Sequence, residues 1–201
     1  MSNLTQLDVA NQALAVLDEA PIGSFEEDSK AARLLNLHFE TTREAELAKH
    51  AWIFALRTIE LTGYDTGSGH GTLNWEYDLP PDFLRLLPIS YDNELAGVPI
   101  SFEQRDGHLY SDQSSPRSIR YIAALEDPDD WDAPFTEVLV AALAIKLALP
   151  LTHKTGMLQL AQQAYQLALR AAMQVNAVQQ HGALYRASWA TQRGDLRHWR
   201  A

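Results

Sequence analysis

Thr58-Ile59-Glu60-Leu61-Thr62 alternates polar and apolar residues with a period of two, in a chain whose earlier apolar residues recur at helical spacing. Alternate side chains of a strand point to opposite faces, so this switch marks the start of sheet structure and decides the fold class. Downstream, glycines at 63, 67, 69 and 71 read as a flexible loop, and Trp75, Tyr77 and Leu79 alternate again until Pro80-Pro81 ends the pairing. Short strands are expected at 84–89, 98–103, 108–111 and 118–123. Turn signals at Asp92-Asn93, Asp106-Gly107 and Ser114-Ser115-Pro116 separate them, and Asp-Gly favours a tight hairpin. Residues 58–126 thus read as a small antiparallel β insertion.

Upstream, Thr5 with Asp8 three residues later opens a helix over 5–18, whose Leu7, Ala10, Leu14 and Leu17 share a face. Pro21, Gly23 and Ser24 break it. A second helix runs over 29–49, with Ala31, Leu34, Leu35 and His38 on one stripe, and Ile22 and Phe25 of the intervening loop fold back as a plug. Beyond the insertion, Phe135, Val138, Leu139, Ala142, Leu143, Ile145 and Leu147 form a helix apolar almost all round, ending near Leu149-Pro150, which predicts a buried helix. A last helix over 156–180 carries Leu160, Ala164, Leu167, Ala171 and Val175 on one face. The expectation is an α+β protein. A four-helix antiparallel bundle-like core (1–57 and 127–181) would carry the β insertion, and residues 182–201 would form an extended C-terminal arm.

Two hundred and one residues, 46% apolar, suffice for a sizeable core. No run of eighteen apolar residues and no signal-like N-terminus is visible, so a soluble protein without membrane contact is expected. Cysteine is absent, which removes disulfides, thiolate metal sites and cysteine nucleophiles. The net charge of −10 disfavours a general nucleic-acid binder, which needs cations to displace phosphate counterions. That charge is uneven: from Gly182 on, Arg186, Arg193, Arg197 and Arg200 against Asp195 give +3, leaving −13 for residues 1–181.

Strings that could carry chemistry read better as structure. Asp65-Thr66-Gly67-Ser68 has the wording of an aspartic-protease turn, but the second copy such a site needs is missing. The glycines nearby lack the Gly-Lys-Ser/Thr ending of a phosphate loop. The acidic run Glu126 to Asp132 has Asp132 where a calcium loop starting at Asp127 needs glycine and Val138 where it needs glutamate, so it reads as charge before a helix N-terminus. The seven histidines include no His-Glu-x-x-His, and His38 and His50 read as packed or hydrogen-bonded. Trp52 and Phe54 read as core. No cofactor, metal or catalytic residue is expected.

Three stretches carry a family resemblance. They are Asn11-Gln12-Ala13-Leu14-Ala15-Val16-Leu17; Ile22-Gly23-Ser24-Phe25-Glu26-Glu27-Asp28-Ser29-Lys30-Ala31-Ala32; and His50-Ala51-Trp52-Ile53-Phe54-Ala55. Tyr77-Asp78-Leu79-Pro80-Pro81-Asp82-Phe83-Leu84-Arg85, Ser118-Ile119-Arg120-Tyr121-Ile122 and the apolar helix from Phe135 follow in order. The series resembles the tail tubular protein A family of head-to-tail adaptors from short-tailed bacteriophages and related prophages, with Ala51 where proline is common and Ile53 where asparagine is common. The resemblance implies a structural virion protein and no enzyme. It implies a homo-oligomeric ring, a dodecamer, between the portal protein and the tail nozzle or tail tube, with DNA only as passing cargo. The location implied is the virion connector, reached through the host cytoplasm during assembly.

Tyr185, Arg186, Trp189, Arg193, Arg197, Trp199 and Arg200 combine aromatic and guanidinium groups as interface hot spots do. With the resemblance, they read as a portal-binding arm that orders on docking. The alternatives are stacking of single-stranded nucleic acid on those aromatics and a tail-associated hydrolase, muralytic or proteolytic.

Overall fold

The computed structural model describes residues 4–67, 73–88, 101–114 and 117–195, with side chains described as far as Gln179. It is an α+β protein of four helices and two antiparallel sheets among those residues. The chain divides into two compact units, residues 1–46 with 127–201 and residues 47–126. Residues 47–57, expected to belong with the helices, count with the β unit.

In the helical unit, α1 (Gln6–Val16) starts at Thr5 through a reciprocal capping box. Asp8 N–H donates to Thr5 Oγ1 at 3.1 Å, and Thr5 N–H donates to Asp8 Oδ2 at 2.9 Å. These bonds to Thr5, side chain first, hold the Asp8 carboxyl below its ordinary range. Helix α1 buries Val9, Ala10, Ala13 and Leu14, and Leu17 beyond it is also buried. In α2 (Lys30–Lys49) Ala32, Leu35, Phe39, Thr42, Arg43, Glu46 and Leu47 are buried; of the expected stripe Leu35 is buried, while Ala31, Leu34 and His38 are half-buried. The loop plug forms: Ile22 is buried, and the Phe25 ring meets Phe39 edge-on at 5.6 Å.

Helix α3 (Ala133–Thr152) is apolar apart from Glu137, Lys146 and two threonines and is the hub, packing against both α1 and α4 (Thr155–Asp195). Its composition and length would suffice to cross a membrane, but most of it is buried inside the protein, as befits a core helix. It passes its expected stop at Pro150 and ends at His153, which takes the left-handed conformation (φ 54) of a helix C-terminus. A proline in the final turn removes one helical donor where few remain to be lost, and Thr152 Oγ1 donates to the Ala148 carbonyl at 2.7 Å. Tyr165 of α4 donates its hydroxyl to buried Glu46 of α2 at 3.0 Å. A four-helix bundle is a finer description than these contacts show. The last helix also overruns its expected end: backbone over 182–195, expected as an extended arm, continues α4 as helix.

The β unit contains β1 (Leu56–Leu61), β2 (Gly63–Asp65), β3 (Trp75–Asp78), β4 (Phe83–Leu86), β5 (Phe102–Arg105), β6 (His108–Ser111) and β7 (Arg117–Ala123). One sheet has the order β1-β7-β4 and the other β2-β3-β6-β5. A single residue, Thr62, separates β1 from β2, so consecutive strands serve different sheets. Both sheets supply one core of Leu61, Tyr77, Leu109, Ile119, Tyr121 and Ala123. Asp106 (φ 54) and Gly107 (φ 83) both take positive φ in the β5–β6 hairpin, the geometry for which Asp-Gly is suited. Gly63 is no loop residue. It faces Tyr77 in the ladder, and a Cβ there would sit 2.6 Å from the Tyr77 ring, so the strand closes only over a glycine. The stretch 89–100, with the first half of the strand expected at 98–103 and the Asp92-Asn93 turn, lies outside the described residues, as do Ser115 and Pro116.

Candidate assembly surface

The family-like stretches supply joints. Asn11 clamps the loop after α1 from both sides: its Nδ2 donates to the Ile22 carbonyl at 3.1 Å and its Oδ1 accepts from Ile22 N–H at 2.9 Å. Gly23 N–H donates to Glu27 Oε2 at 2.8 Å. Trp52 is buried, with the His50 ring edge-on at 5.4 Å and Phe54 at 6.1 Å, which fits their reading as packed residues. Tyr121, in the middle of β7, donates its hydroxyl to Asp82 Oδ1 at 3.0 Å and stacks on Phe83. Burial, with help from the Asp82 bond and charge, pushes this phenol up to about 12.

The acidic strings are joints as well. Asp127 caps the 3₁₀ turn Pro128–Asp130 by accepting from Asp129 N–H. Asp129 accepts from Leu4 N–H at 3.2 Å, and Asp132 accepts from Gln179 Nε2 at 3.1 Å instead of capping α3 with its side chain. Asp65 accepts from Gly67 N–H at 2.8 Å, an Asx-type turn that starts the β2–β3 connection.

One titratable cluster was not anticipated. On the β2-β3-β6 surface, His108 Nδ1 lies 2.9 Å from Asp78 Oδ1 and 3.3 Å from Glu76 Oε1. The Tyr64 hydroxyl donates at 3.3 Å toward the same two oxygens. Register alone brings them together: Tyr64 faces Glu76, and Asp78 faces His108. Local desolvation and then the two carboxylates raise the Tyr64 phenol above its ordinary range. A hydroxyl that keeps its proton and spends it on carboxylates is a poor nucleophile, so the group acts as a strut across three strands. Among the described residues no three His, Asp or Glu side chains are grouped to hold a metal ion.

The uncovered surface lies on α4. Among the described residues, five of the ten large apolar side chains that are exposed belong to it: Leu160, Leu167, Met173, Val175 and Val178. Of the shared face Leu160, Ala164, Leu167, Ala171 and Val175, Ala164 is half-buried and the other four are exposed. What α4 buries is its alanine side, Ala161 and Ala172 fully, with Ala168 half-buried, because α3 approaches closely where side chains are small. Leu167, 68% exposed, stands between two shallow grooves. One, of about 570 Å³, is lined by Ala133, Pro134 and Glu137 of α3 and by Ala164, Ala168 and Ala171. The other, of about 480 Å³, is lined by Gln159, Gln162, Gln163 and Gln166. Residues 155–185 contain a single charged side chain, Arg170, in a protein of net charge −10.

Of the residues expected to bind a portal, Tyr185, Arg186, Trp189 and Arg193 have their backbone on α4, past the level where Gln179 meets the start of α3. Arg197, Trp199 and Arg200 fall outside the described residues. No protein-family model matches the chain. No curated protein matches it either.

Proposed function

We propose that this protein is a structural virion component without enzymatic activity. In this reading it is a head-to-tail adaptor of the tail tubular protein A kind, forming a ring between portal and tail through which DNA passes. The observation that carries the reading is the stretch of helix α4 from 155 to 179, which has Arg170 as its single charged side chain and turns Leu160, Leu167, Met173, Val175 and Val178 outward. An apolar surface of this extent on a soluble chain marks a protein contact. The order of the sequence motifs supports the same reading, since Asn11 with Ile22 and Tyr121 with Asp82 act as joints of a scaffold. In the proposed assembly the four helices act as a bundle-like body at the portal, and the β unit is directed to the tail nozzle or tube. The net negative charge suits a DNA conduit, because anionic walls do not retain phosphate.

The end of α4, with Tyr185, Arg186, Trp189 and Arg193 followed by Arg197, Trp199 and Arg200, is the proposed portal contact. Co-sedimentation with the portal ring of the encoding virus tests this. The full chain should travel with the ring, and a chain ending at Gly182 should not. Equal binding by both would remove the portal role of this segment, and no binding by either would overturn the adaptor reading.

A further inference from the structure

The two sheets of the β unit differ in charge. The strands of the β1-β7-β4 sheet carry Arg57, Arg85, Arg117 and Arg120 against Glu60 alone, a net of +3 in a protein of net charge −10. Those of the β2-β3-β6-β5 sheet carry Asp65, Glu76, Asp78 and Glu103 against Arg105, a net of −3 with His108 neutral. Every cation of the basic sheet is an arginine, whose planar fork of N–H donors is suited to oxyanions.

Register sorts the four arginines by face. Arg57 and Arg117 lie on the face that carries the core residues Leu61, Ile119 and Tyr121. Both are engaged locally: Arg57 donates to the Phe54 and Leu56 carbonyls, and Arg117 to Gln113 Oε1. Arg85 and Arg120 lie on the opposite face. Arg85 stands across from Ile122, and Arg120, two residues away on β7, stands across from Thr58. Diagonal neighbours of this kind are about 7 Å apart, so two long side chains can converge on one ligand. Both arginines are half-buried, and among the described residues neither side chain makes a hydrogen bond, ion pair or ring contact. Arg85 Nε is shielded from water with no hydrogen-bond partner, so packing and not a carboxylate holds this guanidinium. Like charges side by side on a sheet face repel each other. Carboxylates outnumber the cations of this chain by 26 to 16, yet none of those described neutralises the pair.

We infer that Arg85 and Arg120 form a binding site for a small phosphate-bearing ligand. A phosphate dianion matches two guanidinium charges and offers oxygens to both forks, which a single carboxylate does not. Thr58 and Ser118 place two hydroxyl groups on the same face as further donors. Glu60 shares that face, diagonal to Arg120. With the net charge of −10 it disfavours a long polyanion such as duplex DNA, which would have to lie across it. The ligand chemistry that remains is compact. This site is independent of the adaptor reading, and either claim can fail alone.

Titration of the full chain with inorganic phosphate at constant ionic strength, followed by nuclear magnetic resonance of the arginine Nε–H signals, provides the test. Above about pH 7 phosphate is close to dianionic. The Arg85 and Arg120 signals should then shift together and saturate with a Kd of about 1 mM, whereas chloride at equal ionic strength should leave them in place. Arg85→Gln and Arg120→Gln should each weaken binding about tenfold or more with unchanged circular dichroism. Arg170→Gln, at an exposed arginine of α4, should bind as the wild type does. Glu60→Gln changes an exposed side chain, which leaves folding intact, and should tighten binding about threefold. Shifts that grow linearly to about 100 mM, an Arg85 or Arg120 variant that binds normally, or weaker binding by Glu60→Gln would overturn the inference. So would a duplex oligonucleotide that displaces phosphate from the pair at low micromolar concentration, which would make the surface one for nucleic acid.

Discussion

Replacing Gly63 by alanine adds one methyl group at the point where β1 gives way to β2. Its Cβ would lie 2.6 Å from Tyr77 Cε1, 2.7 Å from Cδ1 and 2.8 Å from the Glu76 carbonyl oxygen. Carbon atoms in contact prefer about 3.5–4.0 Å, so the ring would have to retreat by roughly 1 Å. It has little freedom to do so, being fully buried with its hydroxyl bonded to the Gln113 carbonyl at 2.7 Å. Overpacking a filled core costs about 1–3 kcal/mol, and stranding the buried hydroxyl adds about 1–3 kcal/mol, so a loss of roughly 2–5 kcal/mol is expected. Part of the clash is with backbone, which a side-chain rotation cannot relieve. Urea unfolding followed by tyrosine near-ultraviolet circular dichroism reads the change. Gly67→Ala separates sterics from backbone preference: Gly67 has φ 66 and open space around its Cα, so only a left-handed cost of about 1 kcal/mol applies. A Gly63→Ala protein within about 0.5 kcal/mol of wild type would refute the reasoning.

Asn11→Ala should destabilise the helical unit by about 1–3 kcal/mol in urea unfolding, because both polar groups of Ile22 lose their partner, whereas Asn11→Asp keeps the acceptor and should lose less. Arg43 is 2% exposed, and its Nε and Nη1 have no hydrogen-bond partner, so Arg43→Met should be neutral or stabilising by about 1 kcal/mol in thermal unfolding. A loss above about 2 kcal/mol would show that the pairing of its Nη2 with Glu40 dominates. The Tyr121 phenol holds its proton to about 12 in the folded protein and to about 10 when unfolded. Between those values the unfolded chain binds fewer protons than the folded one, so stability falls as pH rises, by on the order of 2 kcal/mol. Tyr121→Phe should flatten that part of the stability profile, and an unchanged slope would contradict the assignment.

Local signals in the sequence proved sufficient where a single interaction determines the outcome. Thr5 with Asp8 fixes the start of α1, and Asp106-Gly107 fixes a hairpin, because cap and turn need only neighbouring residues. Period two over 58–61 fell inside the sheet, although β1 begins at Leu56 and Thr62 is the one residue between it and β2. Gly63 was unreadable as strand, since the residue that explains it, Tyr77, lies fourteen positions away across a ladder. The larger miss was α4. Periodicity reveals that Leu160, Ala164, Leu167, Ala171 and Val175 share a side, but not which neighbour covers it. Close packing on α3 favours the alanine side, and the leucines are left for something else. The strut of Tyr64, Glu76, Asp78 and His108 was equally hidden, because no motif spans residues joined only by register.

In the proposed assembly this chain joins a filled capsid to its tail. Electron microscopy of particles made by the encoding virus with this chain deleted tests it most directly. Filled capsids with free portals and no tails are the predicted result, restored to tailed particles by supplying the chain. Tailed, infectious particles formed without it would contradict the account.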